Sequence, residues 1–170
     1  MSKILVNRVV NSGLITVNLE EMFPKEEMIN FDLKNYLFKE LVLKEKDFRV
    51  ALKLHDWSIY QDKIVLIYCS NNAIIPLWAY MLVTTHVQPF ASDIYVGNQE
   101  AFLTSYYHNK LNLLPIENYI NKRIVIKGCT NKPVPAGAYQ DLTRKLLPVV
   151  KSIMFGEPCS TVPIYKKKKG

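Results

Sequence analysis

An internal repeat is the feature that most restricts how this chain folds. Residues 63–97, which begin KIVLIYCSNN, recur as residues 122–156, which begin KRIVIKGCTN. Matched positions keep a constant spacing from the first proline onward: Pro76 with Pro135, Ala79 with Ala138, Tyr80 with Tyr139, and Gly97 with Gly156. One residue of slip before the prolines pairs Cys69 with Cys129. Each copy therefore predicts a strand, a cysteine-containing turn, a helix and a second strand.

The repeat predicts an α/β fold. The runs IVLIY and RIVIK are short and rich in β-branched residues, which is typical of strands buried on both faces. Pro76 and Pro135 suit the first turn of a helix, where a missing N–H costs nothing. Successive βα units favour parallel strands joined by right-handed crossovers. We therefore expect three layers, with one mostly parallel sheet built from two βαβ repeats.

The N-terminal part of the chain differs from the repeat. LITVNLEEM and EEMINFDL predict two short strands that pair with each other. A helix follows, because Phe48, Leu52 and His55 recur at helical spacing. The expected division is residues 1–62, packed on the main sheet, and residues 63–170, the repeat pair with its basic tail. Together they are expected to form one compact domain over residues 1–165.

Composition bounds the class of protein. The chain has 170 residues, 49% of them hydrophobic, which suits a single domain with a substantial core. No apolar run approaches the roughly 18 residues that a transmembrane helix needs, and no signal peptide is apparent. Three cysteines, none in a CxxC arrangement, do not suit a disulfide scaffold. We expect a cytoplasmic protein with reduced thiols and no membrane partner; the sequence leaves its oligomeric state open.

The charge is concentrated at the C-terminus. The formal net charge is +7, of which the terminal lysines 166–169 supply four. A solvated solubility tail is the simplest interpretation, and a contact with RNA or an acidic partner is the alternative. Nucleic acid is not favoured, because the chain carries no RNA-recognition aromatic signature and no zinc-finger spacing.

The cysteines carry the main functional prediction. Cys69 and Cys129 end the first strand of each copy, and Cys159 follows the last strand. The carboxyl ends of parallel strands form one edge, and neighbouring strands lie about 4.8 Å apart. Thiolates on one edge suit zinc first and an iron–sulfur cluster second. Glu100 matches Cys159 by repeat position, so it is the candidate fourth ligand, whereas His55 is expected at the opposite end of the sheet.

Two other classes of function stay open. Cys129 is the favoured residue for thiol or persulfide chemistry, because Gly128 opens its flank and Lys127 and Lys132 supply positive charge. A non-catalytic interaction module would instead use the repeats as scaffold and the lysine tail as its contact. No phosphatase loop, GxGxxG, P-loop or GxSxG motif is present.

Several longer strings resemble the uncharacterised bacterial family called domain of unknown function 2480. They are NSGLITVNLE, LKEKDFRVALKLHDWSIYQDK, CSNNAIIPLWAYMLV, KGCTNKPVPAGAY and VVKSIMFGEPCSTVP, and together they span nearly the whole chain except the lysine tail. The resemblance implies no established activity. It implies an association with iron–sulfur cluster assembly, and hence with assembly proteins as partners. The family pattern includes the HDW string, which keeps His55 as an alternate metal ligand.

Overall fold

The computed structural model describes residues 13–71, 73–128, 131–157 and 160–168. Among these described residues are seven strands: β1 (Leu14–Asn18), β2 (Met28–Asp32), β3 (Ile64–Tyr68), β4 (Asp93–Val96), β5 (Arg123–Lys127), β6 (Ser152–Glu157) and β7 (Ser160–Lys166). The described part of the chain also has four α-helices: α1 (Glu45–Leu54), α2 (Leu77–Val87), α3 (Gln99–Asn112) and α4 (Ala136–Leu146). The mixed α/β class is therefore confirmed.

The chain forms two compact units. One is residues 24–102, and the other combines residues 1–23 with residues 103–170. We call them the inner unit and the outer unit, since the first is inserted in the sequence of the second. Their boundaries differ from the expected division at residue 62. That residues 1–165 form one compact domain stays a prediction.

The inner unit is a parallel three-stranded sheet with two helices. Its strand order is β2-β3-β4, and Ile64 pairs with Met28 on one side and Asp93 on the other. Helices α1 and α2 provide the crossovers. Buried side chains of both helices share a core with side chains of β2 and β3. The residues of this core include Phe31, Phe48, Leu52, Val65, Ile67, Ala79 and Val83.

The outer unit repeats this arrangement and adds one strand. Its order is β1-β5-β6-β7, with parallel pairing except between β6 and β7. Arg123 pairs with Leu14 and Ser152, in the register that Ile64 has in the inner unit. The long connection from β1 to β5 contains the whole inner unit and α3. The repeat is thus nested, with one copy continuous and the other split.

The repeat extends further upstream than the sequence comparison indicated. The helices before β3 and β5 each bury an aromatic residue and a leucine at matched positions: Phe48 and Leu52 in α1, Tyr107 and Leu111 in α3. The Tyr107 hydroxyl also donates a hydrogen bond of 2.9 Å to the Leu19 carbonyl. Burial raises the pKa of Tyr107 well above its usual range. Both crossovers therefore use the same packing pattern.

Local chemistry explains where the elements begin and end. Pro76 and Pro135 precede α2 and α4 with φ of −63° and −66°, so both predicted helix starts are confirmed. Asn18 and Asp32 end β1 and β2 in the same way, since each side chain accepts a hydrogen bond from the backbone N–H two residues later. Each cap directs the chain into a short 3-10 turn, and the leucine that follows is buried.

The sheet arrangement differs from the expectation in two respects. The first strands of the repeat, β3 and β5, lie in different sheets instead of side by side. The N-terminal strands β1 and β2 are present, but β1 pairs with β5 and β2 pairs with β3, so they do not pair with each other. The physical reason is that each N-terminal strand completes one copy of the repeat.

Strand register also revises the match between the cysteines. β3 ends at Tyr68 and β5 at Lys127, so the counterpart of Cys69 is Gly128, not Cys129. Gly128 has a φ of +136°, and a Cβ there would approach the Leu19 Cβ to 3.0 Å. Glycine fits this position because it tolerates both the conformation and the close approach. The one-residue slip in the sequence comparison therefore does not correspond to the strand register.

Candidate functional site

Cys69 lies at the carboxyl end of β3 in the inner unit. Its thiol is half-buried and donates a hydrogen bond of 3.0 Å to the Asn71 side-chain oxygen. Burial raises the pKa of Tyr80, and proximity to Cys69 adds to that shift. The S–H group is the donor in the bond to Asn71, so the thiol takes part in holding the loop after β3.

Asn71 organises the loop that follows Cys69. Its side-chain oxygen also accepts a hydrogen bond of 3.0 Å from the Ala73 N–H, and its amide group donates one of 2.7 Å to the Glu40 carbonyl. Asn71 therefore acts as a turn former, a role typical of asparagine. Its bonds hold the loop against the segment that precedes α1.

Asp32 anchors the start of the same loop. Its carboxylate accepts hydrogen bonds of 3.0 Å from the Ser70 N–H and 2.9 Å from the Lys34 N–H. Burial alone would raise the pKa of Asp32, but the bonds from Ser70 and Lys34 and the Lys34 charge together lower it. Asp32 is therefore ionised and engaged in holding the loop.

His55 lies in an aromatic cluster of the inner unit. Its Nδ1 is 3.3 Å from the Tyr36 hydroxyl, and its Nε2 is 3.1 Å from the Tyr60 hydroxyl. Its ring meets that of Trp57 edge-on, with centroids 4.7 Å apart. Both ring nitrogens therefore face hydrogen-bonding partners, so a metal could bind only by displacing a tyrosine hydroxyl.

The protonation of this cluster follows from its burial. Burial lowers the pKa of His55, and the Asp56 carboxylate opposes that effect only in part. Burial also raises the pKa of Tyr60 to about 12, with a smaller contribution from Tyr36. A neutral imidazole between two protonated phenols is the stable state near neutral pH.

The predicted metal ligands are only partly described by the structure. Cys129 and Cys159 lie outside the described residues, and Glu100 lies in the first turn of α3. Because β3 and β5 are in different sheets, strand pairing supplies no reason for Cys69 and Cys129 to meet. Within the described residues, no group of three His, Cys, Asp or Glu side chains is arranged to hold a metal ion. The metal site formed by the three cysteines therefore stays a prediction.

A basic groove lies in the outer unit, at the amino-terminal ends of its parallel strands. It has a volume of about 920 Å³ and is lined by Leu14, Asn121, Arg123, Lys151, Ser152, Met154, Pro163, Tyr165, Lys166, Lys167 and Lys168. Five of these residues are cationic, and none of the described lining residues carries a carboxylate. We call this the basic groove. Its charge is suited to an anion.

The backbone explains why these cations converge. Arg123 and Ser152 pair at the start of β5 and β6, and Lys166 at the end of β7 pairs with Ser152. The Lys167 N–H extends that ladder by donating a hydrogen bond of 2.9 Å to the Lys151 carbonyl. The antiparallel return of β7 thus brings Lys166 and Lys167 to the start of β6. Together with Lys168 they line the groove, so these three lysines are part of a built surface.

The inner unit provides an internal comparison for the basic groove. At the same edge, Ile64 takes the place of Arg123, and Asp93 takes the place of Ser152. Asp62 corresponds to Asn121, and both have a left-handed backbone, with φ of 58° and 57°. At these matched positions the inner unit therefore has two carboxylates where the outer unit has the neutral Asn121 and Ser152, and a neutral isoleucine where the outer unit has Arg123.

Sequence reasoning missed the basic groove as a site. The signal was present, because Arg123 and Lys151 stand at the start of their strands, and the tail follows the run TVPIY, which is rich in β-forming residues. What was lacking was strand β7, which the sequence analysis did not identify. Without its antiparallel return, the tail and the strand starts had no reason to meet.

Comparison with protein-family models identifies the family of this chain. The model of the family described as protein of unknown function (DUF2480) matches residues 3–167. The chain belongs to this family. The match confirms the resemblance seen in the sequence, and the DUF2480 description carries no activity. None of the curated proteins and none of the solved structures compared with the chain matches it. In the described part of this DUF2480 protein, no helix is long and apolar enough to cross a membrane.

Proposed function

We propose that this protein is a binding module that takes an anionic partner in the basic groove of its outer unit. The observation that carries the proposal is the set of five cations around one groove whose described lining contains no carboxylate. Like charges held this close repel one another, and a bound anion relieves that repulsion. The acidic character of the same edge in the inner unit supports a specialised role for the outer one.

The first test uses fluorescein-labelled polyglutamate and fluorescence anisotropy. Replacing Lys151, Lys166 and Lys167 by Gln removes three cations from the groove. We expect this triple variant to bind about tenfold more weakly, a loss of about 1.4 kcal/mol. Binding by the parent should also weaken as salt rises, because the attraction is screened.

The matched control carries Gln at Lys25, Lys46 and Lys53, which are exposed residues of the inner unit. It has the same net charge as the groove variant. We expect it to bind polyglutamate like the parent. Equal losses in both triple variants would show that total charge and not the groove attracts the anion, and the proposal would fail.

Cysteine-based metal binding is the second candidate function. It is supported by the position of the Cys69 thiol at the carboxyl end of β3, and by Cys129, which directly follows the matching position Gly128. Zinc is the first metal to consider and an iron–sulfur cluster the second, since both take sulfur ligands. Cys159 and Glu100 would complete the site, with His55 as the alternate ligand.

Elemental analysis of untagged protein, purified under nitrogen without chelator, tests this candidate. It predicts near-stoichiometric zinc or iron that is lost in Cys69→Ser, Cys129→Ser and Cys159→Ser proteins. Bound iron in particular would support the proposal of a cytoplasmic role beside iron–sulfur assembly proteins. Metal-free protein in which Cys129 alone alkylates fast at neutral pH would instead support a thiol or persulfide function.

A further inference from the structure

The basic groove has an apolar floor as well as a cationic rim. Leu14, Met154, Pro163 and Tyr165 line it together with the lysines. Leu14, Met154 and Tyr165 are half-buried, and Pro163 is exposed. A small hydrophilic anion would contact only the rim. A ligand that also buries apolar groups would use both parts, and it would gain from the area removed from water.

We infer that the occupant of the basic groove is an acidic peptide segment of a partner protein that also carries apolar side chains. This inference rests on the proposed anion-binding function. Carboxylates of the segment would meet the lysine rim, and its apolar side chains would contact Met154, Tyr165 and their neighbours. The volume of about 920 Å³ lies at the upper end of the range for small-molecule sites, so it suits several peptide residues.

Single-stranded nucleic acid fits the groove less well. Such ligands are held by several aromatic side chains on which successive bases stack, in addition to a basic track. Tyr165 is the sole aromatic residue among the described lining residues. Four of the five cations are lysines, which act as point charges, and Arg123 alone among them offers a planar fork for phosphate. The chemistry therefore favours carboxylates with apolar neighbours.

The segment is expected to cross the strand ends and not to extend the sheet along β7. Pro163 lies in the middle of β7 and has no N–H to donate to an added strand. A bulge also interrupts the pairing of β6 with β7 between Ile153 and Met154. Both features discourage pairing of a further strand along β7. The side chains of the groove, and not a backbone ladder, then determine which segment binds.

The test compares two fluorescein-labelled peptides of equal length and charge, one alternating Glu with Leu and the other alternating Glu with Ser. At about 0.15 M salt, we expect the Glu/Leu peptide to bind the full-length protein at least about tenfold more tightly, or about 1.4 kcal/mol. Tyr165→Gln and Met154→Gln should each reduce this advantage, measured as the ratio of the two affinities within the same variant. Circular dichroism checks that both variants fold.

The remaining outcomes separate this inference from the proposed function. Equal affinity of the parent for both peptides would overturn the apolar contribution and leave anion binding intact. Tighter binding of oligothymidylate of the same charge would overturn the choice of a peptide. Failure of polyglutamate and both peptides to bind would overturn the proposed function as well. Self-association in sedimentation velocity that is lost when Lys151, Lys166 and Lys167 are replaced by Gln would identify a second copy as the occupant and overturn the inference.

Discussion

Single residues decide the local geometry of the inner unit's carboxyl edge. Asn71 makes three hydrogen bonds, with the Cys69 thiol, the Ala73 N–H and the Glu40 carbonyl. Asp32 adds a bond to the Ser70 N–H. These interactions tie Cys69, Ser70 and Ala73 to Asn71 and Asp32. The polar side chains at this edge therefore have a structural role in the loop, and their presence does not require a ligand.

Replacing Asn71 by Ala should destabilise the protein. The change leaves three groups without their partner, and each such loss costs about 0.5–1.5 kcal/mol, reduced where water replaces the side chain. We expect a fall of about 1–3 kcal/mol in the free energy of unfolding, measured by urea denaturation. Asn30→Ala, at an exposed position of β2, is the control and should change stability little. Equal effects of both changes would contradict the role given to Asn71.

His55 should make stability depend on pH. Burial lowers the pKa of His55 in the folded state. At a pH between its folded-state and unfolded-state pKa values, the unfolded chain therefore binds more protons than the folded one. The stability that His55 contributes is therefore present above the unfolded pKa of about 6.5 and is lost as pH falls below it. Urea midpoints measured across this range should fall less steeply for His55→Gln than for the parent. Identical slopes would show that another group is responsible.

At the scale of elements, the two units show one packing rule applied twice. The helix before the central strand buries an aromatic residue and a leucine, and the helix after it buries Ala79 and Val83 in α2, or Ala138 and Leu142 in α4. The predicted helical face of α1 is confirmed for Phe48 and Leu52. Helical spacing was thus a reliable guide to which side chains enter the core.

The buried face of α1 should tolerate truncation poorly. Leu52 is fully buried, whereas Val50 on the same helix is 58% exposed. Leu52→Ala should cost about 2–5 kcal/mol, because it loses burial and leaves a cavity. Val50→Ala should change stability by less than about 0.5 kcal/mol. Thermal or urea unfolding of the two variants measures the difference, and similar values would contradict the assigned face.

At the scale of the whole molecule, the nested repeat determines which strands are protected. β3 is the middle strand of its sheet, and β5 is an inner strand of the other. Their buried residues include Ile64, Val65, Leu66 and Ile67 in β3 and Ile124, Val125 and Ile126 in β5. In contrast, β4 and β7 are edge strands with many exposed positions.

Hydrogen exchange should follow this arrangement. Amides of inner, buried strands open only through large-scale unfolding, whereas edge strands also exchange by local opening. Exchange followed by mass spectrometry should therefore show the slowest labelling in peptides from β3 and β5, and the fastest strand labelling in β4 and β7. Edge strands as slow as β3 would contradict the strand order.

The sequence by itself determined most of the elements, with strand β7 as the exception. Hydrophobic runs, the prolines at the helix starts and the constant spacing of matched residues predicted β3, α2, β4, β5, α4 and β6, and the α/β class with mostly parallel strands. These features depend on local preferences and on periodicity, which neighbouring residues carry. The two N-terminal strands and α1 were also predicted for that reason.

Only the tertiary structure decided how these elements are grouped. Pairing of β1 with β5 joins segments far apart in the chain, and no local pattern distinguishes it from pairing with β2. The match of Cys69 with Gly128 required strand register, because a one-residue slip is invisible in a short alignment. The basic groove required the antiparallel return of β7. Long-range pairing depends on which surfaces bury each other, and that is a property of the folded chain.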